Sequence, residues 1–426
     1  MKTLGLLLSK YKNFLRLFLA GLLFLALGSA NAQTKIKLGV DHLEDRKFDI
    51  LKGKRVGLLT HPAGVNSKGL STVLLLHRAS EVNLTALFGP EHGIYGDEKA
   101  SVPVDDKIDH RTNLPVYSLY GKFRKPTPKM LSGLDCLVID LQDVGVRCYT
   151  YVSCMRYVME ACFEEGVEVV VLDRPNPLGG LKMAGPMIDP EWISYVGAFP
   201  MPFVHGMTIA ELALWSKKTP GILKIEEKVR KNGKLTLIPM IGWRRSMTWP
   251  ETGLNWLPTS PNIPTLDSVA GYPMTGLGAQ LGSFKHGIGT KHPFRLLTFE
   301  GKTVGQVKRA LEELKLRGLA YKIINSVSPT GETTRGVYIV IENWTAWEPT
   351  EMAFAMMQLT ARWQSPNPFQ EAKKSEANLF NKHVGSTAWW NYLKSNGQNI
   401  DPANYLKQWE REVQAFRNQT IEFLIY

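Results

Sequence analysis

Three segments of this 426-residue chain end an apolar run in acid, base or amide side chains. In the first, residues 84–88 stop at Gly89-Pro90 and deliver Glu91 and His92 side by side, followed by Gly93, Gly96 and Asp97. In the second, Val138-Ile139 leads into Asp140, Gln142, Asp143 and Arg147. In the third, Val169 to Leu172 leads into Asp173, Arg174 and Asn176, with Pro175 and Pro177 stiffening the backbone. A carboxyl in a partly dry loop can stay protonated and act as an acid, and glycines beside it let a ligand approach the backbone. Glu91 with His92 is therefore the leading catalytic candidate. Asp140 and Asp143, three apart on a turn, are candidates for the base or for stabilising a positive transition state. Arg147 can hold a carboxylate with two parallel bonds. Tyr149 offers a face for a sugar ring, and Asp173, Arg174 and Asn176 offer polar contacts to it. His205 before a helix start and Asn262 in Ser260-Pro261-Asn262 complete the set. Each has a structural alternative: a turn cap for Glu91, an Asp143–Arg147 ion pair, an Asp173–Arg174 bond, a helix cap for His205.

The elements that must position these groups alternate. Strand patterns at 55–60, 84–88, 115–118, 136–140, 168–172 and 235–240 are separated by helical patterns at 71–77 and 151–165. A further helix starts near Thr208, where Glu211 three residues on completes a capping box. Near-continuous apolar strands alternating with helices predict a Rossmann-like, doubly wound and mostly parallel α/β sheet. Such sheets bind ligands beyond the carboxyl ends of their strands, where Glu91, Asp140 and Asp173 fall. A proline-rich passage at 250–273 breaks the alternation. The expected division is a catalytic domain at 33–262 and a smaller α+β domain at 263–426 that closes the cleft. The latter carries helices at 304–316, 350–363 and 404–416 and a strand at 336–341.

Residues 1–32 read as a secretory leader: Lys2, Lys10, Lys12 and Arg16 precede a short apolar run and Ser29-Ala30-Asn31-Ala32. Export to the periplasm or beyond follows, without stable membrane insertion once the leader is removed. The formal net charge is +12, and only four of the positive charges lie in the leader, so an anionic partner is favoured. No run of basic residues interleaved with aromatics points to nucleic acid. The four cysteines have no zinc-like spacing and read as mostly buried thiols. Phosphate-loop, zincin, dinucleotide and serine-elbow motifs are absent. Carboxylate acid/base chemistry remains, and glycoside hydrolysis is its natural extracytoplasmic form. A metal-dependent hydrolase built on His92, Asp140 and His205 is the competing chemistry.

At this point the motifs resemble a family, the NamZ-type exo-β-N-acetylmuramidases. The resemblance rests on residues 56–60, Phe88 to Gly93, Asp140 to Tyr151, Leu172 to Pro177, His205 to Thr208 and Ser260 to Thr265. It implies a Rossmann-like domain with a smaller C-terminal domain and a cleft between them. It also implies release of N-acetylmuramic acid from the non-reducing end of peptidoglycan fragments, with no metal or organic cofactor. The substrate's lactyl carboxylate would suit Arg147 or Arg174, and Glu91 falls in the family's Pro-Glu-His-Gly motif. The chain departs from the family pattern at Gln280, Ser283 and Ile288, where a Glu, an Asn and an Arg are usual, and at His61, where Asn is common. Lys285 or His286 are candidates to replace the lost charge. These departures motivate an alternative: a non-catalytic muropeptide-binding protein of the same fold.

Overall fold

The computed structural model describes residues 35–96 and 107–426, and the leader and Asp97 lie outside the described residues. Residues 36–426 form one compact unit. Its first part is built on a seven-stranded sheet. The strands are β1 (Arg55–Thr60), β2 (Asn83–Gly89), β3 (Lys107–Ile108), β4 (Pro115–Ser118), β5 (Cys136–Asp140), β6 (Glu168–Leu172) and, beyond the hairpin below, β9 (Leu235–Ile238). Their order is β3-β4-β2-β1-β5-β6-β9. Every pairing is parallel except that of the short edge strand β3 with β4. β7 (Ala184–Met187) and β8 (Pro202–Val204) pair antiparallel as a small separate ribbon.

The alternation of side chains explains why this sheet is covered on both faces. Leu59, Leu137, Ile139, Val169 and Val171 point into one apolar cluster. Their neighbours Val56, Leu58, Cys136, Val138, Val170 and Leu172 point into another. Each fully buried Val, Leu or Ile contributes about 1.5–3 kcal/mol, which makes the sheet the rigid part of the molecule. Three helices connect or flank it: α1 (Thr72–Arg78), α2 (Thr150–Glu164) and α3 (Ile209–Lys218). The expected capping box at α3 is present: Thr208 and Glu211 each bond the other's backbone N–H.

Successive strands leave β1 in opposite directions, β2 to one side and β5 to the other. The ends of β1 and β5 therefore mark the crevice where doubly wound sheets bind ligands.

The remainder carries a four-stranded sheet, ordered β10 (Phe284–Lys285), β11 (Leu296–Phe299), β13 (Thr333–Ile341) and β12 (Leu319–Val327). Helices α4 (Leu266–Thr275), α5 (Val304–Glu313) and α6 (Glu351–Trp363) share its apolar cluster, and α7 (Ala403–Thr420) packs against β7. Two of these elements depart from the sequence reading. The proline-rich passage contains α4, with Pro273 inside it. β12 pairs with β13 over its full length, although it shows no clean alternation of burial. All four cysteines are buried free thiols, and burial pushes the thiol of Cys136 up to about 12 and that of Cys148 up to about 11. Among the described residues no helix is long and apolar enough to cross a membrane.

Candidate active site

The three polar segments do end up at one edge. β2 ends at Gly89 and the chain turns through Pro90, with the Gly93 N–H donating to the Pro90 carbonyl (3.0 Å). This turn presents Glu91 half-buried and His92 buried. His92 has a positive φ of 72°, an uncommon conformation for a non-glycine residue and one that marks a constrained loop. The Glu91 carboxylate lies at the start of the 15-residue helix α2, whose first residue Thr150 donates its hydroxyl to Oε2 (3.3 Å). A helix start is where backbone N–H groups and positive dipole collect. Tyr151 bridges this corner: its hydroxyl donates to the Thr259 carbonyl (2.7 Å) and lies 3.4 Å from the Glu91 carbonyl. Tyr149 donates to the Thr259 hydroxyl (2.7 Å) and packs edge-on against Tyr151 and Tyr272. An aromatic wall, with Tyr151 buried and Tyr149 and Tyr272 partly so, thus stands beside Glu91. Thr259 is part of the segment that carries Asn262, whose own N–H bonds the Ser260 hydroxyl (3.2 Å).

Asp140 and Asp143 have different surroundings. Asp140 is completely buried at the end of β5. Its Oδ1 accepts from Arg174 Nε (2.6 Å), and its Oδ2 accepts from Arg174 (2.9 Å) and from the Thr72 hydroxyl (2.5 Å). Arg174 also donates to the Val65 carbonyl (2.7 Å). The pair is a brace between β5, β6 and the start of α1. Asp143 instead accepts the Gly145 N–H (2.7 Å) and a bond from His205 Nε2 (3.0 Å), both on Oδ2. The Met207 N–H donates to His205 Nδ1, so Nε2 carries the ring proton toward Asp143. The other carboxylate oxygen, Oδ1, is buried and makes no hydrogen bond. Gly145 has a φ of 81°, and a Cβ there would strike the side-chain amide oxygen of Asn176, so only glycine fits.

The remaining candidates are mostly structural in their contacts. Arg147 is fully buried and donates to the carbonyls of Pro186 (2.8 Å), Met201 (2.7 Å), His383 (3.0 Å) and Val384 (2.8 Å). It ties the loop after β5 to the C-terminal helices, and burial pushes its guanidinium down to about 10. No Asp143–Arg147 or Asp173–Arg174 ion pair forms among the described residues; the partners are His205 for Asp143 and Asp140 for Arg174. Asp173 accepts from Thr208 (2.9 Å), from the Ala210 N–H (3.0 Å) and from the hydroxyl of Tyr426 (2.6 Å). It anchors the start of α3 and the last residue of the chain. Asn176 donates to the Met207 carbonyl (3.0 Å) and accepts from the Leu178 N–H (3.0 Å).

His61, noted in the sequence only as a departure, proves central. Its Nε2 accepts the Gln142 N–H (2.8 Å), and its ring packs edge-on to Tyr151. Burial, the Arg174 charge and nearby His92 all hold it neutral. Thr72, Thr259, Tyr272 and Tyr195 also belong to this neighbourhood and carried no local signal. No group of three His, Cys, Asp or Glu among the described residues is placed to hold a metal ion, and Asp140 and His205 are each bonded elsewhere. A cavity of about 790 Å³ opens elsewhere, beside Lys182, Trp344 and Arg417, but none of the strand-end acid or base groups lines it.

This arrangement has known counterparts. The chain matches the exo-β-N-acetylmuramidase NamZ family over residues 56–267 for its N-terminal part and 270–426 for its C-terminal part. It belongs to that family. A curated relative, the peptidoglycan β-N-acetylmuramidase NamZ of Bacillus subtilis (strain 168), is 38% identical over 397 residues, covering 92% of each chain. A crystal structure of a DUF1343 family protein from Bacteroides fragilis superposes with a TM-score of 0.82 at 36% identity, covering 92% of this chain and 99% of that one. A second DUF1343 family protein from the same organism has a TM-score of 0.68 at 24% identity and shares the fold. The Rossmann-like sheet and the smaller C-terminal part expected from the sequence are thus shared with the first of these structures.

Proposed function

We propose that this chain is an exported exo-acting glycoside hydrolase that releases N-acetylmuramic acid from the non-reducing end of peptidoglycan fragments. Family membership and the 38% identical relative named as a peptidoglycan β-N-acetylmuramidase support the activity. The observation that carries the mechanism is Glu91: a half-buried carboxyl presented at the carboxyl edge of β2 and beside an aromatic wall. Glu91 acts as the general acid on the leaving oxygen, and His92 shapes its surroundings. Asp143, with one oxygen free of hydrogen bonds, is the better second carboxylate. Asp140 has both oxygens engaged and acts as a brace. The domain division at 262/263 and the leader at 1–32, with a periplasmic or secreted location, belong to the same proposal.

The test is release of chromophore from a β-N-acetylmuramide set beside the matching glucosaminide, with the mature protein and its Glu91→Gln variant. Release from the muramide alone, lost in the variant, is the expected result. Near-normal turnover by Glu91→Gln would overturn the assignment of the acid.

One observation favours a second reading. Gln280 stands where the resemblance expects a Glu, and its side-chain carbonyl oxygen is buried without a hydrogen bond. A muropeptide-binding protein that kept the cleft and lost the chemistry would bind N-acetylmuramic acid in calorimetry and release nothing.

A further inference from the structure

Both arginines that the sequence offered for a substrate carboxylate are engaged inside the protein, Arg147 on four carbonyls and Arg174 on Asp140. A different cation stands at the same edge. β4 pairs with β2 so that Ser118 lies opposite Gly89, and the Leu119 N–H donates to the Gly89 carbonyl (2.8 Å). The loop after β4 therefore leaves the sheet next to the turn that carries Glu91. It contains Tyr120, Lys122 and Arg124.

We propose that Arg124 grips the lactyl carboxylate of an N-acetylmuramoyl residue seated at Glu91, and so sets the preference for muramic acid over glucosamine. This rests on the reading of Glu91 as the muramidase acid.

The geometry argues for it in three ways. First, the guanidinium is stacked: its carbon lies 4.2 Å from the Tyr195 ring centre and 4.8 Å from that of Tyr120. Packing against two aromatic faces restricts the side chain, and an arginine fork held in this way can donate two parallel bonds to a carboxylate. Tyr195 is itself buried and packed edge-on by Tyr157, so the platform is rigid. Second, Arg124 is exposed, and among the described residues no carboxylate lies in ion-pair range of it. Third, Tyr195 packs edge-on against Tyr157 of α2, the helix whose first residue Thr150 bonds Glu91, so the cation and the acid lie along one helix. N-acetylmuramic acid differs from N-acetylglucosamine by the lactyl ether on O3, and its carboxylate is the only charge on the sugar. A stacked arginine near the acid is the group that can read it. Lys122 shares the loop but offers a point charge over Phe123 with no fork.

The experiment uses three chromogenic substrates: the β-N-acetylmuramide, its lactyl methyl ester and the β-N-acetylglucosaminide. Binding of free N-acetylmuramic acid and N-acetylglucosamine is measured by calorimetry in the Glu91→Gln background. Arg124→Gln is expected to lower kcat/KM on the acid and weaken N-acetylmuramic acid binding by roughly 10- to 100-fold, the range for a charge-assisted bond. The preference for acid over ester should fall to near unity. Arg124→Lys should retain part of the preference, and Lys122→Gln should retain nearly all of it. An acid-over-ester ratio unchanged in Arg124→Gln would overturn the assignment while leaving the muramidase reading intact. Absence of both muramide turnover and N-acetylmuramic acid binding in the wild type would instead sink the muramidase reading, and Arg124's role with it.

Discussion

Removing Arg174 tests whether Asp140 is a brace or a reacting group. The Asp140 side chain has no exposed surface and that of Arg174 only 4%. The carboxylate is held by two bonds from Arg174 and one from Thr72. Arg174→Met would leave a buried negative charge with a single hydroxyl. Breaking a buried pair in this way costs about 3–5 kcal/mol, because the remaining charge is uncompensated. A typical domain has only about 5–15 kcal/mol in total, so the variant should unfold at a much lower urea concentration. The orphaned carboxyl would take up a proton on folding, so its penalty should ease at low pH and grow as pH rises. Adding Asp140→Asn removes the charge and keeps an acceptor for Thr72. The double variant should recover most of the loss, with a coupling of about 2 kcal/mol or more between the sites. Urea unfolding of the four proteins at pH 5 and pH 8 reads all of this. A loss below about 1 kcal/mol in Arg174→Met, or no recovery in the double variant, would refute the brace. The same proteins settle the chemistry. If Asp140 transferred protons, the folded double variant would lose on the order of 10²-fold or more in turnover; a brace predicts less than tenfold.

Glu91→Gln should lose on the order of 10²-fold or more in muramide turnover with an unchanged urea midpoint, since the side chain is half-buried and lies at a loop. Asp173 gives a pH signature. Burial pushes its carboxyl up to about 7, against three hydrogen bonds that favour the charge. The folded state then holds a proton that the unfolded chain releases, so this contribution is full below about pH 4 and is lost as pH rises through 7, by ~4 kcal/mol at most. Asp173→Asn should flatten the fall of the urea midpoint between pH 4 and 7, and an unchanged slope would assign it to another group. Arg147→Met should cost about 3 kcal/mol or more, read in the same way, because four carbonyls from both parts of the chain lose their donor; a near-neutral result would mean that water replaces it.

The sequence carried the local features of this protein. Residues 136–140 and 168–172 are apolar on both faces because helices cover both faces of the sheet, so their pattern declares buried parallel strands without any knowledge of the neighbours. Thr208 and Glu211 define a helix start through bonds confined to one turn. Glycine and proline after each strand announce where the chain leaves the sheet, which is why Glu91, Asp140 and Asp173 could be placed at one edge. The buried thiols of Cys136, Cys154 and Cys162 follow from the strand and helix patterns that contain them, whereas Cys148 lies in the loop between β5 and α2. The elements that were missed lack such local signatures. α4 holds a proline that ordinarily argues against a helix. β12 has one face partly exposed and is specified by pairing with β13.

Partner choice lay beyond the sequence. Asp140 finds Arg174 and not a nearer cation, Asp143 finds His205, and Arg147 reaches carbonyls at His383 and Val384 rather than any carboxylate. Whether a charged side chain braces the fold or faces a ligand depends on which groups the chain brings within hydrogen-bond reach and how far water is excluded there. Both are properties of packing between segments that lie far apart in sequence. The local pattern therefore determined the strands, their polar ends and Glu91 at the sheet edge. Only the tertiary structure decided that Asp140, Arg174 and Arg147 hold the molecule together, and that an exposed Arg124 lies over the rings of Tyr120 and Tyr195.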